Sequence, residues 1–224
     1  MESLPPPAPH VLRLYLIRHG QTDWNAEGRI QGCSVDRPLS DVGEAQANAV
    51  ANALQDVPLD AVGSSTLMRA SQTADAILRA NRNAPRRLAP AFALREMNFG
   101  SLEGQVPAGT PEYEEVNEAW AAGELDRRWP GGESPNDVSA RGVLALADVV
   151  MAEWDAQRPR HVAIVAHGRF NKIVLAALLE GYGVQRCGEI SQDNCCINVL
   201  DVTAPTLVGH CTSVAINAHA HLQL

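Results

Sequence analysis

Apolar positions along the chain follow two patterns. Residues 12–17 and 162–166 are short, nearly continuous apolar runs of the length expected for strands buried on both faces. Elsewhere apolar residues recur every three or four positions, the spacing of a helix with one buried side. Ser40 or Asp41 caps the first such helix, with Asp41 and Glu44 at capping-box spacing. Its expected inner face is Val42, Ala45, Ala49 and Ala53, flanked by Val50 and Leu54, and Pro58 ends it. Residues 59–63 predict a short strand running into Ser64 and Ser65. A second helix follows, with Leu67, Ala70, Ala74, Ile77 and Leu78 on one face and Arg69 in its first turn.

Residues 94–104 show neither period and read as a loop that holds Glu96, Phe99, Gly100, Glu103 and Gly104. Residues 105–133 are irregular apart from a short helix at 111–121, and are expected to form a lid over a crevice. Ser134 and Pro135 open a long helix, the serine as cap and the proline at the first helical position. Its expected buried stripe is Val143, Leu144, Ala147, Val150, Met151 and Trp154. A strand at 161–166, a helix at 170–179 and two late strands at 194–202 and 206–211 complete the chain. Strands alternating with helices predict a three-layer α/β/α fold with a mostly parallel central sheet. The proline-rich residues 1–10 read as a mobile tail, and 11–224 as one domain with no repeat or linker.

Composition narrows the function classes. A net charge of −8 argues against broad nucleic-acid binding and against an anionic membrane surface. It leaves room for a phosphorylated substrate, because a few arginines can dominate one pocket. The five cysteines are odd in number and form no CxxC pattern, so they read as reduced thiols. No apolar segment is long enough to span a bilayer, and residues 1–9 lack the basic and apolar regions of a signal peptide. A cytoplasmic location is therefore the expectation. His219 and His221 could share a metal but read rather as histidines scattered on a tail, and no metal or cofactor is expected.

Both apolar runs end in a histidine and a glycine, Arg18-His19-Gly20 and His167-Gly168. In open α/β sheets ligands bind beyond the carboxyl ends of the strands. If the two strands are parallel neighbours, His19 and His167 emerge side by side. Each histidine alone reads equally as a packed or capping side chain, and Arg69 alone as a solvated arginine. Together, two histidines, two arginines and the loop carboxylate Glu96 suit phosphoryl transfer. An imidazole nitrogen of His19 could attack phosphorus. Arg18 and Arg69 would hold the phosphoryl oxygens, and His167, if protonated, would add a donor. Glu96 would protonate the leaving oxygen and then take a proton from water.

The segment Leu16-Ile17-Arg18-His19-Gly20-Gln21-Thr22-Asp23-Trp24-Asn25 resembles the signature of the histidine phosphatase superfamily, the phosphoglycerate mutase-like clan. Further blocks resemble the family in its order: Ser64-Ser65 with Arg69 to Ala74, Glu96 to Gly100 with Glu103-Gly104, Gly132-Glu133-Ser134, and Val165-Ala166-His167-Gly168. The resemblance implies His19 as the phosphorylated nucleophile, Arg18, Arg69 and His167 as the phosphate pocket, and Glu96 as the acid/base. It also places Asn25, Thr22, Gln31, Gly32 and Gly168 around phosphate or substrate. Asn25 equally fits a turn-forming residue, and Gln31-Gly32 an ordinary loop pair.

After His167-Gly168 relatives often carry a second small residue and, three positions on, an arginine. Here Arg169-Phe170-Asn171-Lys172 stand instead, so Arg169 could meet a second anionic group or face solvent. Three functions follow: a metal-independent phosphomonoesterase, a cofactor-dependent phosphoglycerate mutase, or an inactive binding module of the same fold. The block Glu96-Met97-Asn98-Phe99-Gly100 is closer to the phosphatase branch than to the Glu-Arg-His-Tyr-Gly of mutases. The expected partner is a small phosphorylated metabolite such as a sugar phosphate. Glu112, Glu114, Glu115, Glu118 and Glu124 against only Arg127 and Arg128 disfavour a highly anionic one.

Overall fold

In the computed structural model, which describes residues 5–108 and 110–222, the first apolar run is the inner strand β1 (Leu12–Arg18). Its parallel neighbour is β4 (Arg160–Ala166), and β5 (Ile197–Val202) runs antiparallel on its other side. Among the described residues the sheet has six strands, in the order β3-β2-β4-β1-β5-β6. The others are β2 (Ala61–Ser64), the two-residue β3 (Arg86–Arg87) and β6 (Cys211–Ala218). β3, β2, β4 and β1 are mutually parallel, and the final two strands make the sheet mixed.

Burial on both faces explains the continuous apolar runs. Leu12, Leu14 and Leu16 join Val162, Ile164 and Ala166 in one core layer. That layer packs with α4 (Pro111–Ala121), α5 (Pro135–Glu153) and α6 (Gly168–Leu178). Tyr15 and Ile17 face the opposite layer with Ala163 and Val165, under α2 (Asp41–Ala53) and α3 (Met68–Ala80). A short helix α1 (Asp23–Ala26) follows β1 directly. Each fully buried leucine in these layers is worth about 1.5–3 kcal/mol of transfer free energy.

The helix caps fall close to where the sequence places them. Ser40 caps α2 by accepting from Gly43 N, with no box to Glu44. Ser134 and Asp137 close a full capping box on α5, with Pro135 at its start. The helix faces differ from expectation. In α2 the buried positions are Gly43, Ala47, Val50 and Ala51, while Val42 is exposed. Alanines on every side leave the inner face nearly unmarked. Backbone proximity selects it: a Cβ on Gly20 would lie 2.5 Å from Gly43 O. In α5 the buried line is Val138, Gly142, Leu146 and Val150, and Leu144 and Met151 are 64% and 62% exposed. Gly142 sits against Phe170 and Val174, a contact to which a hydrophobic pattern is blind.

Of the predicted strand at 206–211 only Cys211 is a strand residue; 206–210 form a turn, with Leu207 buried as its anchor and Val208 exposed. The last strand is β6, an edge strand whose mixed, half-exposed residues carry no clean alternation. The other late strand begins at Ile197, and residues 194–196 lie outside it. His219 and His221 do not sit on a loose tail. His221 Nε2 donates to Cys195 O at 3.0 Å, and His219 Nδ1 to Asn217 O at 2.7 Å. Of the expected tail, residues 1–4 lie outside the described residues, and Pro5 O accepts from Arg13 at 2.6 Å. Among the described residues no helix is long and apolar enough to cross a membrane.

Candidate active site

Parallel register brings the two histidines together. Arg18 pairs with Ala166, His19 N donates to Ala166 O at 3.1 Å, and the rings of His19 and His167 lie 5.1 Å apart. β2 ends at the same level, where Ser65 N donates to Val165 O at 3.0 Å. A cleft of about 250 Å³ opens there, lined among others by Arg18, His19, Asn25, Gln31, Glu96 and Gly168. The crevice thus lies beyond the carboxyl ends of the parallel strands.

Hydrogen bonding fixes the proton position on His19. Arg69 Nε donates to His19 Nε2 at 3.2 Å, so that nitrogen carries a lone pair. The proton sits on Nδ1, which donates to Gly20 O at 2.7 Å. Burial, then the charges of Arg69 and Arg18, hold the His19 pKa well below the ordinary histidine value. The ring is therefore neutral and nucleophilic at Nε2 across physiological pH. His167 is likewise pushed down, first by burial and then by Arg69, His19 and Arg18. Ser65 Oγ accepts from Leu67 N at 3.2 Å and shares a 2.7 Å hydrogen bond with His167 Nε2. His167 Nδ1 is buried and without a partner among the described residues. Where the Ser65 hydroxyl donates in that bond, the neutral ring carries its proton on Nδ1 and offers the donor expected from a protonated one.

The arginines are similarly incomplete. Arg69 Nη2 donates to Gly32 O at 2.9 Å and Arg18 Nη1 to Gln192 O at 2.6 Å. Arg69 Nη1 and Arg18 Nε have no partner among the described residues. Burial lowers both pKa values, Arg69 to about 10, and leaves both charged at neutral pH. The Gln31 amide has a buried, unpartnered Nε2, while its Oε1 accepts from Thr22 Oγ at 2.5 Å. Four buried nitrogens without partners among the described residues, on two arginines, a histidine and a glutamine, make a pocket suited to an anion.

Glu96 reaches the cleft from its loop. Its Oε1 accepts from Met97 N at 2.9 Å and Phe170 N at 2.8 Å, and its Oε2 from Arg169 N at 3.0 Å. The first turn of α6 therefore fixes the carboxylate. Behind it, Arg141 donates to the carbonyls of Ala93, Arg95 and Glu96 and to Glu133, whose Oε2 accepts from Asn98 N. Glu103 accepts from Cys33 N, Ser34 N and Phe99 N, tying this loop to the one holding Gln31 and Gly32.

The remaining expected residues divide by position. Asn25 lines the cleft, its Oδ1 held by Thr22 N and Asn194 Nδ2. Thr22 is fully buried and spends its hydroxyl on capping α1 and on Gln31, so it supports the pocket from behind. Gly32 offers its carbonyl to Arg69, and Gly168 leaves space for Arg18, since a Cβ there would lie 3.1 Å from Arg18 Nε. Arg169 does not face open solvent. Its guanidinium donates to Asn117 Oδ1 at 3.2 Å and Tyr113 Oη at 3.0 Å, and lies 5.5 Å from the Trp120 ring. Pro107 and Tyr113 make the segment 105–133 one wall of the cleft, anchored by Val116, Trp120 and Trp129 in the core.

Sequence reasoning passed over several supporting groups. Asn194 Nδ2 donates to His19 O at 3.1 Å. Gln192, whose carbonyl holds Arg18, is tied by side-chain hydrogen bonds to Asn171 and Asn198. These amides, buried except for the half-buried Asn194, come from segments remote in sequence, and only the unusual density of Gln and Asn at 192–198 marks them.

The chain belongs to the histidine phosphatase superfamily (branch 1), whose family model matches residues 14–211. A 2-carboxy-D-arabinitol-1-phosphatase of Triticum aestivum is 33% identical over 95% of this chain. The match takes in 41% of that protein, so the chain spans less than half of this relative's length. A Salmonella typhi protein named a "Probable phosphoglycerate mutase" is 38% identical over 70% of each chain. Among solved structures, a mycobacterial glucosyl-3-phosphoglycerate phosphatase is 30% identical, with a TM-score of 0.76 over 93% of this chain and 100% of its own.

Proposed function

We propose that the chain is a metal-independent phosphomonoesterase that works through a phosphohistidine on small phosphate esters. The observation that carries this reading is the neutral His19 with its Nε2 lone pair in a pocket of four unpartnered buried donors. An incoming phosphoryl group would take those donors on its oxygens and draw the Arg69 Nε–H away from His19. Nε2 then attacks phosphorus. The P–N bond forms, the ester P–O bond breaks, and Glu96 supplies a proton to the leaving alkoxide. Glu96 thus enters the cycle as the protonated acid and leaves the first half as carboxylate. In the second half that carboxylate takes a proton from water, the water oxygen bonds to phosphorus, and the P–N bond breaks, restoring both His19 and the Glu96 acid. The fixed donors stabilise the oxygens that gain charge in both transition states.

Two named relatives are phosphatases of small phosphorylated compounds, which supports a small-metabolite ester here. The mutase alternative draws its support from the Salmonella relative. Phosphate release from a panel of phosphomonoesters without added metal, by wild type and His19→Ala, tests the reading. The expected outcome is release by wild type and a loss of at least about a thousandfold in the variant. Conversion of 3- to 2-phosphoglycerate with a bisphosphoglycerate primer, in place of phosphate release, would decide for the mutase.

A further inference from the structure

Beyond the phosphate pocket, α6 turns two more cations into the cleft. Arg169 and Lys172 stand three positions apart on that helix, and both line the crevice that holds Arg18 and His19. Among the described residues the Arg169 guanidinium hydrogen-bonds only to uncharged acceptors on α4, Asn117 and Tyr113, which fix its direction without neutralising it. Lys172 is half-buried and has no ion pair among the described residues, and it is the chain's one lysine. Most arginines elsewhere behave differently: Arg13, Arg86, Arg128, Arg141, Arg160 and Arg186, for example, each meet a carboxylate. In a chain of net charge −8, two cations beside the cleft with no ion pair among the described residues suit an anion from outside.

Charge selects the kind of anion. Glu114 and Glu118 line the outer recess that Arg169 and Lys172 share with Tyr113, although neither pairs with them. Those carboxylates oppose a second phosphate dianion more strongly than a single negative charge. Resting on the phosphomonoesterase reading, the geometry points to a substrate with two anchors: its phosphate at Arg18, Arg69 and His167, and a carboxylate at Arg169 and Lys172. The substrate class is a phosphorylated hydroxy acid.

The test compares 3-phosphoglycerate with glycerol 3-phosphate, in which a hydroxymethyl group replaces the carboxylate, and with propane-1,3-diol bisphosphate. Wild type should favour the carboxylate ester in kcat/KM by about tenfold or more, the scale of one charged hydrogen bond. Lys172→Gln should bring that ratio close to one, and Lys172→Arg should retain it. A wild-type ratio near one, a ratio unmoved by both Lys172→Gln and Arg169→Gln, or a preference for the bisphosphate would overturn the assignment. A second measurement needs no variant. Burial and the neighbouring charges of Arg169 and Arg18 lower the Lys172 pKa, which favours its reaction with amine-directed reagents near neutral pH. 3-Phosphoglycerate should protect the Lys172 peptide from such a reagent where glycerol 3-phosphate does not, and equal labelling would count against the subsite. Failure of the phosphomonoesterase reading shows separately, as absent phosphate release from an aryl phosphate, and the protection experiment still decides the subsite.

Discussion

The two ends of β1 each carry an arginine, and they are built to opposite rules. At the amino end Arg13 is 3% exposed and meets Asp201 through two hydrogen bonds of 2.7 and 2.8 Å. The bond to Asp201 raises the Arg13 pKa. Nearby, Tyr15 Oη bonds His161 Nδ1 at 3.0 Å, and Asp60 accepts from Arg158 and from His161 N. At the carboxyl end Arg18 has a carbonyl partner but no carboxylate among the described residues, and burial lowers its pKa. One end has its charge satisfied from within the chain. The other retains unsatisfied donors, a standing cost that a bound phosphoryl group would offset.

Exchanging the two arginines' roles is the strongest way to break that comparison. Arg18→Ala should lower kcat/KM by at least about a hundredfold through loss of transition-state charge stabilisation, with little loss of thermal stability. Arg13→Ala should do the reverse, costing about 2–4 kcal/mol in denaturant unfolding by stranding Asp201, with near-normal turnover at low temperature. Equal melting losses in the two variants would erase the distinction. A smaller effect is expected from Ser65→Ala. It frees the His167 tautomer and should reduce kcat about tenfold, with a changed ring-nitrogen signature for His167 by NMR.

The smallest expected effect is on pH dependence. His19 and His167 both have folded pKa values below the unfolded value, so the unfolded chain binds more protons in the intervening range. Stability of the unliganded protein is thus complete above about pH 6.5 and falls as pH drops below it, by at most roughly 1.4 kcal/mol per group per pH unit. His19→Asn should flatten the melting temperature against pH between about 7 and 5. An unchanged slope would mean that His19 is not a source of it.

The side chains that converge on the cleft were more legible in the sequence than what surrounds them. The strands β1 and β4 were legible because burial on both faces writes a continuous apolar run, and the His-Gly exits mark their ends. Arg18, His19, Arg69, Glu96, His167 and Gln31 all reach one pocket region, as their residue types suggested. The inner faces of α2 and α5 were not legible. Their decisive residues are Gly43 and Gly142, which a hydrophobic count ignores and which backbone or ring contact selects. Nor could spacing reveal Arg141, Gln192 or Asn194, since each acts on carbonyls or side chains far along the chain. The edge strand β6 lacks the alternation that would have announced it.

The strand order has a bearing on how the chain is made. β1 and β2 are not neighbours: β4, from beyond residue 159, fills the slot between them. Until that segment leaves the ribosome, both flanking strands have open edges on the sides that will meet β4, and Ser65 and His19 lack their shared reference. His167 arrives only with this closing strand, so half of the pocket is absent until the sheet closes. Synthesis and sheet closure therefore act as a timer, and the nascent chain cannot assemble the candidate site before β4 and His167 have emerged.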